Sequence, residues 1–138
     1  MKYSALTEFA GYFYNENEYL SLQKKSKFGT AVCNEAEDEY FVTYSNEAIA
    51  FSDLFFQSEL FKLIDKENKE KRKKNRARFP LQIAQMREEE IARLFCFFLG
   101  ENKVRKGNFF PLIGMESGIF FKTLIRLKEI DIECSRND

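Results

Sequence analysis

A chain of 138 residues with 22 basic and 22 acidic side chains is long enough to bury one domain-sized core without disulfides or a structural metal. Histidine is absent, which removes the usual general base, the Cys–His and Ser–His pairs and the commonest metal ligand. With 16 Phe and 6 Tyr but no Trp, ring packing must supply much of the burial.

Leu6, Phe9, Ala10, Phe13 and Leu20 recur at helical intervals after Ser4 and predict a first helix over about residues 5–23, after which Gly29 is a break. Within it, Phe13 is assigned to the core and Tyr12, Tyr14 and Tyr19 to its rim, where they could also meet a partner. Residues 39–44 (EYFVTY) have the β-branched and aromatic content of a short strand, with no partner strand evident. Ser45 or Asn46 then caps a second helix whose apolar stripe is Ala48, Phe51, Leu54, Phe55, Leu60 and Leu63. That helix can run on into the charged stretch 65–78, where Glu67 with Lys71 and Glu70 with Lys74 stand four residues apart.

Phe79-Pro80 marks a boundary and the start of a third helix to about Leu99, with Ile91, Phe95 and Phe98 on one face and Gly100 as C-cap. A break over residues 101–107 follows. Asn108 caps a short helix that tolerates Pro111 in its first turn, Gly114 makes a turn, and Ser117 caps a longer helix to about Ile130. The expected architecture is mainly α: a bundle of four to five helices in one compact domain, with a helical N-terminal region over residues 1–79 that ends in a basic helix or linker, and a C-terminal unit over residues 80–138.

No stretch near Met1 resembles a leader, and the longest apolar run, residues 94–99, is far short of a membrane span, so the expectation is a soluble, cytoplasmic protein. Cys33, Cys96 and Cys134 fit neither a disulfide framework nor a zinc pattern, and read as small apolar residues in a reducing compartment. The densest carboxylates, Glu88-Glu89-Glu90, occupy consecutive helical positions that point apart. No catalytic residue, metal or cofactor is expected.

The zero net charge conceals an asymmetry. Residues 1–60 carry 4 basic against 10 acidic side chains, residues 61–106 carry 14 against 7, and residues 107–138 carry 4 against 5. A basic middle suggests an anionic partner, or an acidic face that pairs with it internally.

The segment 109–133, FFPLIGMESGIFFKTLIRLKEIDIE, resembles the helix-turn-helix and winged-helix families of DNA-binding regulators. Ile113, Gly114 and Met115 match the turn, Phe120, Leu124 and Leu127 match the positions that pack the second helix, and residues 127–133 resemble the exit into a first wing strand. Phe110 stands where the family usually has a small residue, and five residues after Glu133 leave only a stunted wing. The resemblance implies that the second helix enters the major groove and presents Ser117, Gly118, Lys122 and Arg126. Lys103, Arg105 and Lys106 would anchor phosphates beside the short helix.

Of the run KEKRKKNRAR at 69–78, with seven positive residues, Lys71, Arg72, Lys73 and Lys74 are candidate phosphate contacts. The run reads equally as a solvated helix end or linker. The leading expectation is a non-catalytic regulatory or accessory protein that binds duplex DNA as a dimer joined through its N-terminal helices. The alternative is a protein-binding module (inhibitor, antirepressor or assembly subunit) that presents its acidic N-terminal half. Ile119, Phe121 and Ile125 beside the recognition face suit the alternative.

Overall fold

The computed structural model describes residues 2–15, 26–34, 36, 39–65 and 82–136. They are mainly helical, with one two-stranded sheet. The element order is α1 (Ser4–Thr7), α2 (Ala10–Phe13), β1 (Gly29–Asn34), β2 (Glu39–Tyr44), α3 (Asn46–Gln57), α4 (Glu59–Asp65), α5 (Glu88–Leu99), α6 (Phe110–Glu116) and α7 (Ile119–Arg136), with single 3-10 turns at Ile83–Gln85 and Gly100–Asn102. Among the described residues no helix is long and apolar enough to cross a membrane.

The first expected helix is two separate turns, and the chain is extended by Tyr14 (φ −61°, ψ 127°). Leu6, Ala10 and Phe13 keep the helical spacing and are buried, so the apolar face survives the break. In the second turn, the Tyr12 hydroxyl bonds both the Lys27 carbonyl (3.0 Å) and Ser45 Oγ. Leu20 and Tyr19 lie outside the described residues. At the other end, Asp131 of α7 accepts from the Lys2 N–H at 2.9 Å and the Tyr3 N–H at 3.0 Å, satisfying amides that a one-turn helix leaves without intrahelical partners.

The strand at 39–44 does have a partner. Residues 29–34 pair with it antiparallel, Gly29 against Tyr44 and Asn34 against Glu39, so Gly29 opens a strand instead of ending a helix. Its closeness to β2 explains the glycine: a Cβ there would meet the Thr43 carbonyl oxygen at 2.9 Å.

Ser45 caps α3 as expected, its Oγ accepting from the Ala48 N–H at 3.1 Å. Helix α3 does not run on unbroken, because Ser58 is extended. Its hydroxyl donates to the Phe55 carbonyl (2.6 Å) and accepts from the Phe61 N–H (3.3 Å), closing one helix and starting the next. The charged continuation and the Phe79-Pro80 boundary lie outside the described residues.

The third long helix begins at Glu88, later than expected, because Met86 and Arg87 are extended and Glu90 Oε1 accepts from the Arg87 N–H at 3.1 Å. Three carboxylates in that first turn also suit the positive end of the helix dipole. Gly100 follows it, and Glu101 and Asn102 take left-handed backbone (φ 59° and 61°).

Three sequence assignments in the C-terminal unit need correction, the first being Ser117, which ends α6 instead of capping α7. Gly114 lies inside α6, not at a turn; a Cβ there would stand 2.6 Å from the Phe120 ring and 3.0 Å from Phe98, so the glycine is set by close packing. The turn glycine is Gly118, with φ 84°. Residues 127–133 remain helical, since Leu127 and Ile130 are buried and Asp131 is held by the N-terminal amides, and α7 runs on to Arg136 where a wing strand was expected. Asn108 stands one residue ahead of the Phe109 N-cap, and its Oδ1 accepts from the Phe110 N–H at 2.9 Å, with Pro111 in the first turn as expected.

The core is a lattice of rings. Phe13 packs against Phe51 (centroids 4.9 Å) and Phe120 (5.4 Å), and Phe95 meets Phe51 (5.3 Å) and Phe120 (5.1 Å), mostly edge to face. Phe95, Phe98, Phe120, Leu124 and Leu127 are all buried, and with Phe13 and Phe51 they make one core across both halves of the sequence.

Candidate functional site

Helix α7 has a buried side built on Phe120, Leu124 and Leu127 and an outer side carrying Phe121, Lys122, Ile125, Arg126 and Glu129. Of the four residues expected on the recognition face, only Lys122 and Arg126 share this outer side. Gly118 is buried, and the half-buried Ser117 hydroxyl donates back to the Gly114 carbonyl at 3.4 Å.

Arg126 is committed as well. Its Nε donates to the Met86 carbonyl at 3.0 Å and a terminal nitrogen pairs with Glu129 at 3.3 Å, which ties the segment ahead of α5 to α7. The 3-10 turn Ile83–Gln85 therefore lies along the outer side of α7. Between them is an open groove of about 500 Å³, lined by the apolar Ile83, Ala84, Phe121 and Ile125 and by the polar Gln82, Lys122, Arg126 and Glu129. Tyr14, 53% exposed, packs edge-on to Phe121 at 5.2 Å and extends the apolar surface, while Ile125 is 37% exposed.

The expected phosphate anchors are divided. Lys103 Nζ donates to the Phe97 carbonyl at 2.9 Å near the C-terminal end of α5 and lies 4.9 Å from the centre of the Phe110 ring. Arg105 pairs with Asp53 at 2.6 Å across an exposed surface. Lys106 is exposed. Lys71, Arg72, Lys73 and Lys74 lie outside the described residues.

Buried polar groups elsewhere bind the fold together. The Tyr44 hydroxyl donates to the Asn108 carbonyl (2.7 Å) and accepts from the Leu112 N–H (2.9 Å), joining β2 to the start of α6. Burial raises its pKa, opposed by the Leu112 N–H bond. Tyr3 is raised by burial and then by Glu88, which accepts its hydroxyl proton.

Glu116, at the end of α6, is only 3% exposed, and its Oε1 has no hydrogen-bond partner among the described residues. Burial raises its pKa, against a lowering bond from Ser26. No cluster of three or more metal-ligating side chains is found among the described residues.

Sequence reasoning flagged Phe121, Ile125 and, as a rim tyrosine that could meet a partner, Tyr14, but missed Ile83 and Ala84. The signal was the apolar Ile83-Ala84 pair between the basic run and Glu88, which helical spacing absorbed into the following helix. Compared with models of known protein families, with curated proteins and with solved structures, the chain matches none.

Proposed function

We propose that this protein is a non-catalytic binding module for another protein, built on an α6–turn–α7 pair that resembles a helix-turn-helix, with the groove along α7 as its contact surface. The observation that carries this reading is the character of the outer side of α7. Phe121, Ile125, Ile83 and Ala84 supply the apolar part of the groove's lining, and Arg126 is drawn back onto the Met86 carbonyl. A helix entering a major groove needs cations and hydrogen-bonding side chains at its leading turn, whereas this one begins with buried Gly118 and half-buried Ile119. Such a groove suits an amphipathic partner helix that inserts apolar side chains between Phe121 and Ile125.

Duplex DNA is the second reading, and the seven positive residues of the 69–78 run favour it. The two readings separate experimentally. In a display selection with amphipathic helical peptides, wild type should enrich binders that the Phe121→Asp, Ile125→Asp double variant loses by about tenfold or more, as expected when a contact centre is disrupted. Duplex DNA should show no retention at physiological salt. The protein reading fails if no peptide depends on Phe121 and Ile125 while DNA is retained with a steep salt dependence. Under the DNA reading, Lys71, Arg72, Lys73 and Lys74 changed together to Ala should flatten that dependence.

A further inference from the structure

The two edges of the β1–β2 hairpin are treated differently. On the β2 side, the Val42 N–H turns away from β1 and donates to the Gly107 carbonyl at 2.9 Å, with the Phe41 ring lying over Gly107. That bond fixes the alternation of the ladder: Ala31–Val42 is a non-hydrogen-bonded pair, and Thr30, Val32 and Asn34 exchange bonds with β2. The Ser45 N–H donating to the Phe28 carbonyl at 2.8 Å continues the same phase.

It follows that Gly29, Ala31 and Cys33 turn their N–H and C=O groups to the open side of β1. The Gly29 carbonyl is taken by the Ser26 N–H at 2.9 Å, while the outward groups of Ala31 and Cys33 meet no described residue. Among the described residues, two donors and two acceptors thus stand unpaired along a strand with no proline in it, beside Val32 and Phe41, which face each other and are 57% and 54% exposed.

We propose that this edge is an interface between two copies of the chain, joined β1 to β1 in antiparallel register about a two-fold axis at Val32. In that register Ala31 of each copy exchanges both backbone bonds with Cys33 of the other, which satisfies all four open groups. Val32 stands opposite its own counterpart in a non-hydrogen-bonded pair, where side chains approach most closely. The row Phe41–Val32–Val32–Phe41 then crosses a four-stranded sheet. The charges flanking the strand select a second copy as the occupant. Lys24, Lys25 and Lys27 precede β1, and Glu35, Glu37, Asp38 and Glu39 follow it. Antiparallel pairing sets the basic end of each copy against the acidic end of the other, whereas parallel pairing would set like against like.

Sedimentation of the full chain at about 0.5 mM, where even a weak edge contact is populated, should give twice the 16.4 kDa chain mass. Val32→Glu, at an exposed position, should return the monomer with an unchanged far-ultraviolet circular dichroism spectrum, because it opposes two carboxylates across the axis. A second measurement tests the register. In a Cys33→Ser background, Val32→Cys should give a disulfide-linked dimer under mild oxidation, since directly opposed β-carbons stand about 4.5–5.5 Å apart. Thr30→Cys, which faces Asn34 of the other copy, should not. A wild-type monomer at this concentration overturns the proposal, as does a dimer that survives Val32→Glu or one that Thr30→Cys links as readily as Val32→Cys.

Discussion

The two sides of α7 use similar residues to opposite ends. Its inner side sets Phe120 among the rings of Phe13, Phe51, Phe95 and Phe98. One residue further along, Phe121 is half-buried against the edge of the core, with Tyr14 edge-on to it and a groove beside it among the described residues. Hydrophobicity alone does not distinguish the two phenylalanines. The difference is whether a partner ring already fills the space, and on the outer side that space is open to another molecule.

The sharpest way to break this contrast is Leu124→Ala on the buried side, which should cost about 2–5 kcal/mol by cavity formation. Urea denaturation measures it, and a loss under about 1 kcal/mol would mean that the helix is rotated from its described phase. Asp131→Ala should cost about 1–3 kcal/mol, because it leaves the Lys2 and Tyr3 amides without their acceptor. Hydrogen exchange at those two amides should accelerate together with the fall in stability.

On the outer side, Arg126→Ala should lower stability by about 1 kcal/mol through the lost bond to the Met86 carbonyl. Lys122→Ala should stay within about 0.5 kcal/mol. Equal effects at the two sites would undo the distinction between a tethering cation and a surface one.

The smallest expected effect belongs to Glu116, off this helix. Its folded-state pKa lies above the ordinary carboxylate value, so the folded chain holds the proton more tightly than the unfolded chain. Stability should therefore fall as pH rises through and above the ordinary carboxylate range. Glu116→Gln should raise the melting midpoint at neutral pH and flatten that region of the profile. An unchanged profile would show the carboxylate to be well solvated.

Features governed by neighbours in sequence were legible in it: the Ser45 cap of α3, the Asn108 and Pro111 start of α6, the strand at 39–44, and the core positions Phe95, Phe120, Leu124 and Leu127. Features set by distant neighbours were not. Gly114 read as the turn residue and Gly118 as part of the recognition face, yet Gly114 is required by two rings crossing close to the backbone and Gly118 makes the turn with its positive φ. Lys122 and Arg126 have equivalent helical spacing, yet Arg126 is tied to the Met86 carbonyl, 40 residues away, a contact that spacing cannot show. Strand β1 escaped notice because its turn into β2 lacks the Asn-Gly or Asp-Gly signal, while Thr30 and Val32 already had the right composition. The groove was half visible, since Phe121 and Ile125 are a property of α7 but Ile83 reaches them only through tertiary folding.

The pairing of Asp131 with the amides of residues 2 and 3 also imposes a schedule. Helix α1 is a single turn of four residues, too short to persist alone, and the carboxylate that satisfies its leading amides is encoded 128 residues later. At ribosomal rates residues 2 and 3 wait roughly 6–25 s for that partner to be polymerised, and longer for it to clear the exit tunnel. The contact that secures α1 is therefore made only after α7 has emerged.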